Sequence, residues 1–78
     1  MPRPVSMIAE EVRMYWPKPY FGAVPYLEAM LELENVNDHY GADSGKSIVL
    51  YFLANAQTWR GPEARRIKAE LSAMVGTK

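Results

Sequence analysis

The chain lacks cysteine, has a single histidine and has no net charge. Without cysteine it can form neither disulfides nor thiolate metal sites, and a small secreted scaffold normally has such cross-links. We therefore expect a cytoplasmic protein. Nine basic and nine acidic residues cancel, which argues against a general attraction to nucleic acid or to acidic membranes.

Long hydrophobic runs are absent as well. The longest apolar run, residues 48–54, is far shorter than the roughly 20 residues that cross a bilayer. The N-terminal stretch lacks the uninterrupted apolar segment of a signal peptide, because two glutamates follow its prolines. We expect no membrane association and no export signal.

Length and composition predict one folded domain over residues 1–78. A chain of 78 residues buries only somewhat more than about 60% of its unfolded surface and does not support two cores. Its 49% hydrophobic and 23% charged residues are ordinary for a globular domain and unlike a disordered chain. We predict an all-α fold, a compact bundle of three to four short helices with an aromatic, proline-rich linker and a flexible arm over residues 1–5.

Prolines and apolar spacing set the expected bounds of the first two helices. Ser6 is a plausible cap for a helix over residues 7–15. That helix should end at Trp16, because a residue before proline disfavours helical backbone. Pro25 suits the first turn of a second helix, and its apolar stripe continues to Leu33.

The third segment is ambiguous between strand and helix. Residues 47–53, SIVLYFL, have the β-branched and aromatic content of a buried strand, which periodicity alone does not separate from a buried helix. Apolar residues continue to Trp59, and no other segment offers partner strands. We predict a central helix, apolar nearly all round, that is capped by Asp43 or Ser44 and runs to Thr58 or Trp59.

The last helix should begin at Pro62 and end near Val75, before Gly76. It carries three basic residues, and with the preceding helix and a glycine-containing turn it could form a helix-turn-helix DNA reader. Zero net charge and few base-reading amide side chains weigh against this. DNA binding therefore stays as an alternative, through Arg65, Arg66 and Lys68.

Aromatic residues are the most suggestive functional feature. Most of them should close the small core, but four fall within seven residues beside the prolines, which exceeds what so small a core can hide. Exposed aromatics beside arginine are typical interface anchors. A central helix apolar on all sides would also favour self-association. The predicted partner-binding residues are Tyr15, Trp16, Tyr20, Phe21, Trp59 and Arg60.

No catalytic, metal or cofactor site is expected. Residues 41–47, GADSGKS, are one residue short of a phosphate-binding loop, because Tyr40 stands where the first glycine is required. His39 lies near Asp38 and Asp43, but a single histidine in a turn does not supply the several convergent ligands of a metal or hydrolytic site. Turn and capping chemistry explain these residues better.

Residues 25–30, PYLEAM, and residues 40–71, YGADSGKSIVLYFLANAQTWRGPEARRIKAEL, resemble small uncharacterised proteins of phages of actinobacteria, mycobacteriophages among them. The resemblance implies a phage accessory protein that is made in the bacterial host cytoplasm and binds host proteins. It implies no catalytic residues. We therefore predict a non-catalytic protein-interaction module that binds a host bacterial protein or itself.

Overall fold

Four α-helices and one short β-hairpin form the computed structural model, which describes residues 3–76. The predominantly helical fold is confirmed, whereas the hairpin was not predicted. The Cα radius of gyration is 11.1 Å, close to the roughly 11.5 Å expected of a compact domain of this length. The helices are α1 (Val5–Tyr15), α2 (Val24–Met30), α3 (Gly45–Ala54) and α4 (Pro62–Val75), and the antiparallel strands are β1 (His39–Tyr40) and β2 (Asp43–Ser44).

Helix α1 begins earlier than Ser6 would place it. Pro4 occupies the N-cap position, where its missing amide hydrogen costs nothing. The first helical amides find acceptors in another segment: Val5 donates to the carbonyl of Glu34 at 3.0 Å, and Ser6 to that of Leu33 at 2.8 Å. The predicted arm is therefore wrong at residues 3 to 5, and its first two residues lie outside the described part of the chain.

Helix α2 follows a 3-10 helix over Phe21–Ala23 and ends at Met30. The apolar stripe continues to Leu33 as predicted, and Leu33 is fully buried. Its amide donates to the carbonyl of Met30 at 3.1 Å, and Glu32 donates to Ala29 at 3.0 Å. These hydrogen bonds join residues three apart and tighten the last turn, so the buried apolar stripe continues beyond the end of the α-helix.

Helix α3 confirms the helical interpretation of SIVLYFL. Its N-cap is Ser44, whose hydroxyl accepts the Ser47 amide at 3.2 Å. The helix ends at Ala54 rather than at Trp59, because the Asn55 side chain donates to the carbonyl of Tyr51 at 2.9 Å and closes the last turn. The buried face is narrower than predicted, since Tyr51 is exposed.

The residues that resembled a phosphate-binding loop have structural roles. Gly41 turns the hairpin with a φ of +62°, a left-handed conformation that favours glycine. Gly45 is buried, and its amide donates to the carbonyl of Asp38 at 2.6 Å. A Cβ atom there would lie 3.0 Å from the carbonyl oxygens of Asn35 and Val36.

Helix α4 has the predicted bounds, from Pro62 to Val75, with Gly76 in the left-handed conformation after it. Its buried seam is Ala64, Ile67, Leu71 and Val75, with Met74 only half-buried. It packs against α1 and α3, while α2 covers another side of α3. Within residues 3–76, no helix is both long enough and apolar enough to cross a membrane.

Candidate interaction surfaces

Two of the predicted interface anchors belong to the core. The indole rings of Trp16 and Trp59 stack with centroids 5.3 Å apart and an interplanar angle of 8°, and the ring of Phe52 meets Trp16 edge-on at 6.2 Å. Only 9% of Trp16 and 4% of Trp59 are exposed. The prediction that these indoles are exposed is wrong, because each ring covers a face of the other although the two residues are far apart in the sequence.

The linker nevertheless leaves an exposed aromatic pair. Phe21 is 79% exposed and Tyr20 is 44% exposed, and their ring centroids lie 4.8 Å apart. The Tyr20 carbonyl accepts the Ala23 amide at 2.8 Å, which shapes the 3-10 helix that carries Phe21. Gly22 lets the Tyr20 ring approach the backbone, since a Cβ atom there would lie 2.6 Å from that ring.

A groove of about 460 Å³ is formed by other linker residues with α1 and α2, and its volume falls within the range of roughly 300–1,000 Å³ for ligand pockets. Neither Tyr20 nor Phe21 lines this groove, but Pro19 and Val24, which flank the pair in the sequence, do. We call the groove together with Tyr20 and Phe21 the linker surface. The groove residues are Arg13, Trp16, Pro17, Pro19, Val24, Leu27, Glu28 and Leu31.

The remaining predicted partner-binding residues are exposed outside the groove. Tyr15 at the end of α1 is 43% exposed, and Arg60 lies in the connection between α3 and α4. Sequence reasoning missed the groove itself. The prolines flanking Lys18 were the available sequence signal, because both line the groove together with apolar residues of α2.

The three basic residues of α4 do not form one free face. Arg66 pairs with Glu11 at 2.8 Å, and Glu11 also pairs with Arg3 at 2.7 Å. Arg3 in turn contacts Glu70 at 2.7 Å. The hydrogen bonds from Arg66 and then Arg3 lower the pKa of the Glu11 carboxyl. This network ties the N-terminal segment and α1 to α4.

Lys68 is oriented by backbone groups. Its ammonium donates to the carbonyl of Trp59 at 2.6 Å and to that of Ala56 at 2.9 Å. Burial lowers the pKa of Lys68, and the nearby Arg60 charge lowers it further. Only Arg65 of the three predicted DNA-contacting residues is exposed without an ion pair to another described residue.

The hairpin residues show no metal-binding geometry. His39 is exposed, and it pairs with Ser44 in the two-stranded register. Across residues 3–76, no group of three or more histidine, cysteine or carboxylate residues is placed to hold a metal ion.

The described residues form a small, mostly helical fold whose candidate sites are open grooves and clefts. Comparisons with protein-family models, curated proteins and solved structures find no match. Function is therefore inferred from the residues and their geometry.

Proposed function

We propose that the protein is a non-catalytic interaction module whose linker surface binds another protein. The observation that supports this most directly is the exposure of Phe21, 79% of which remains in solvent. A 3-10 helix carries this ring beside a second exposed aromatic, Tyr20, in the linker whose prolines line the groove. Aromatic residues are enriched in protein interfaces, and tyrosine is among the residue types that recur at binding hot spots.

The groove suits an apolar side chain of a partner. Two prolines and two leucines supply half of its lining residues, and one positive and one negative residue, Arg13 and Glu28, also border it. These two charges cancel, so the groove does not select a strongly charged segment. The proposed occupant is therefore an apolar or aromatic side chain of a partner protein, with Phe21 packing against the partner surface around it.

The phage resemblance favours a host bacterial protein as that partner and the host cytoplasm as the place of binding. A second copy of the chain is the other occupant to test. The DNA-binding alternative has less support, because Arg66 is ion-paired and Lys68 donates to two carbonyls. The ion pair competes with phosphate or base contacts by Arg66. The two carbonyls hold Lys68 in place with one hydrogen left, so it is not free to extend to a base edge.

Two exposed aromatics make a matched pair of variants for the test. Phe21→Ser removes the proposed anchor, whereas Tyr40→Ser removes a comparably large ring from the hairpin, where 47% of it is exposed. Neither ring belongs to the buried core, so both variants should keep the melting temperature of the parent.

Proteins captured from an actinobacterial lysate by the parent and by each variant would be compared, and each candidate would be purified and titrated by calorimetry. We expect one partner whose affinity falls by at least about 30-fold in Phe21→Ser, as for an interface hot spot, and is unchanged in Tyr40→Ser. Sedimentation of the same three proteins tests the second-copy occupant. A partner that binds Phe21→Ser as tightly as the parent, or the absence of any partner together with a monomeric parent, contradicts the proposal.

A further inference from the structure

Four of the five arginines fall into two groups with different surroundings. Arg3 and Arg66 are neutralised by the carboxylates of Glu11 and Glu70. Arg60 and Arg65 have no ion pair with any residue in the described range, and both are exposed. The fold thus leaves these two guanidinium groups without acidic partners near the start of α4.

A cleft of about 270 Å³ lies between these residues. One water occupies about 30 Å³ of liquid, so the cleft has room for a group of several non-hydrogen atoms. No described acidic residue lines it, and Glu63 of the first turn of α4 is not among its walls. Its lining residues are Trp59, Arg60, Gly61, Arg65 and Lys68.

Lys68 has a fixed position in the wall of this cleft, unlike a freely moving surface side chain. Two of its three ammonium hydrogens are used by the carbonyls of Ala56 and Trp59, which leaves one hydrogen for another acceptor. These bonds hold the charge at a fixed place in the wall. Burial and the neighbouring Arg60 charge both lower the pKa of Lys68. With Arg65, these residues place three cationic side chains around the cleft.

The start of α4 adds to the same field. Gly61 is its N-cap, and no side chain caps the helix there. Gly61 lines the cleft, and the dipole of a helix N-terminus favours a negative charge beside it. The guanidinium group of arginine presents several N–H donors in one plane, which suits an oxyanion with several acceptor oxygens. Phosphate is the common biological group with that geometry.

We propose that the cleft bordered by Arg60, Arg65 and Lys68 binds a phosphate group, with the two arginines donating to its oxygens beside the fixed ammonium of Lys68. The site is separate from the linker surface and does not depend on the proposed function. We take the occupant to be a free phosphate or a phosphomonoester, and the backbone of a nucleic acid is the alternative that the test separates from it.

The test is a titration of the isotopically labelled protein with inorganic phosphate at constant ionic strength, followed by nuclear magnetic resonance. We expect saturable shifts at the Gly61 amide and at the Arg65 guanidinium, with a dissociation constant on the order of 1 mM. The pKa of Lys68, followed at its side chain, should rise when phosphate binds, because a bound anion stabilises the ammonium.

Variants distinguish phosphate binding in the cleft from a nonspecific attraction of phosphate to surface arginines. Arg65→Gln and Arg60→Gln should each weaken phosphate binding by about tenfold or more, which corresponds to 1.4 kcal/mol. Arg13→Gln, which removes an exposed arginine from the groove on the linker surface, should leave it unchanged. Equal shifts with chloride, undiminished binding in Arg65→Gln, or equal weakening in Arg13→Gln would each overturn the proposal.

A short single-stranded oligonucleotide forms the second arm. Binding no tighter than that of inorganic phosphate supports a small phosphorylated ligand. An affinity at least about tenfold higher, lost in Arg65→Gln, would overturn the preference for a small ligand and assign the cleft to a phosphodiester.

Discussion

The indole of Trp16 lies parallel to that of Trp59, with 5.3 Å between their centroids. Trp16 comes directly after α1 and Trp59 precedes α4 by three residues, so the stack joins two connections that are distant in the sequence. The ammonium of Lys68 donates a 2.6 Å hydrogen bond to the backbone carbonyl of Trp59. The stack therefore fixes the end of the bundle from which both candidate surfaces extend.

Trp16→Ala should lower the free energy of unfolding by about 3–5 kcal/mol, the usual cost of truncating a buried tryptophan. The loss combines the removed apolar area with the uncovered face of Trp59. Urea denaturation followed by circular dichroism measures it. Tyr15→Ala, at the neighbouring exposed position, should cost much less, and a stability of Trp16→Ala within about 1 kcal/mol of the parent would contradict the buried stack.

Phe52 and Leu50 should respond very differently to truncation although they are close in α3. Phe52 is fully buried and packs edge-on against Trp16, so Phe52→Ala should cost about 3–5 kcal/mol. Leu50 is only partly buried, and Leu50→Ala should cost less than the roughly 2 kcal/mol found for the mildest buried leucines. Similar losses in the two variants, measured by urea denaturation, would mean that the helix is rotated from its described orientation.

Local chemistry made much of the fold predictable. Ser44 caps α3, Pro62 opens α4 and Gly76 ends it, and each acts through its own backbone or through a residue within one turn. The hairpin was not predicted because its strands are only two residues long, which is too short for an alternating apolar pattern. Gly41 in a left-handed conformation fits a helix end and a hairpin turn equally well.

The candidate sites were less predictable because they depend on distant pairs. Nothing around Trp16 in the sequence indicates that Trp59 will cover it, so its exposure could not be judged from the linker alone. Arg66 similarly looked free until α4 packed beside Glu11. Tyr20 and Phe21, which have no such distant ring partner among the described residues, were assigned to an exposed surface correctly.

Gly45→Ala should destabilise the protein by about 1–3 kcal/mol, the usual range for overpacking. The new methyl would lie 3.0 Å from two backbone carbonyl oxygens, at Asn35 and Val36, and a backbone has little freedom to move aside. Thermal denaturation of Gly45→Ala beside Lys46→Ala, an exposed change in the same helical turn, measures the difference. An unchanged melting temperature for Gly45→Ala would show that the loop from Asn35 to Asp38 moves away from α3 at low cost.

Glu11 should make stability depend on pH in the acid range. Its hydrogen bonds to Arg66 and Arg3 hold the pKa of this carboxyl below its ordinary value of 4.5 in the folded state. Below that ordinary value the unfolded chain binds a proton that the folded chain does not, so stability is lost as the pH falls toward the folded pKa. In Glu11→Gln the proton uptake on unfolding should be smaller by up to about one proton, whereas Glu10→Gln, an exposed neighbour, should keep the parent profile.

Urea denaturation at a series of pH values between neutral and strongly acidic gives this uptake from the slope of the unfolding free energy against pH. If the three slopes coincide below pH 4.5, the ion pairs of Glu11 do not persist in solution.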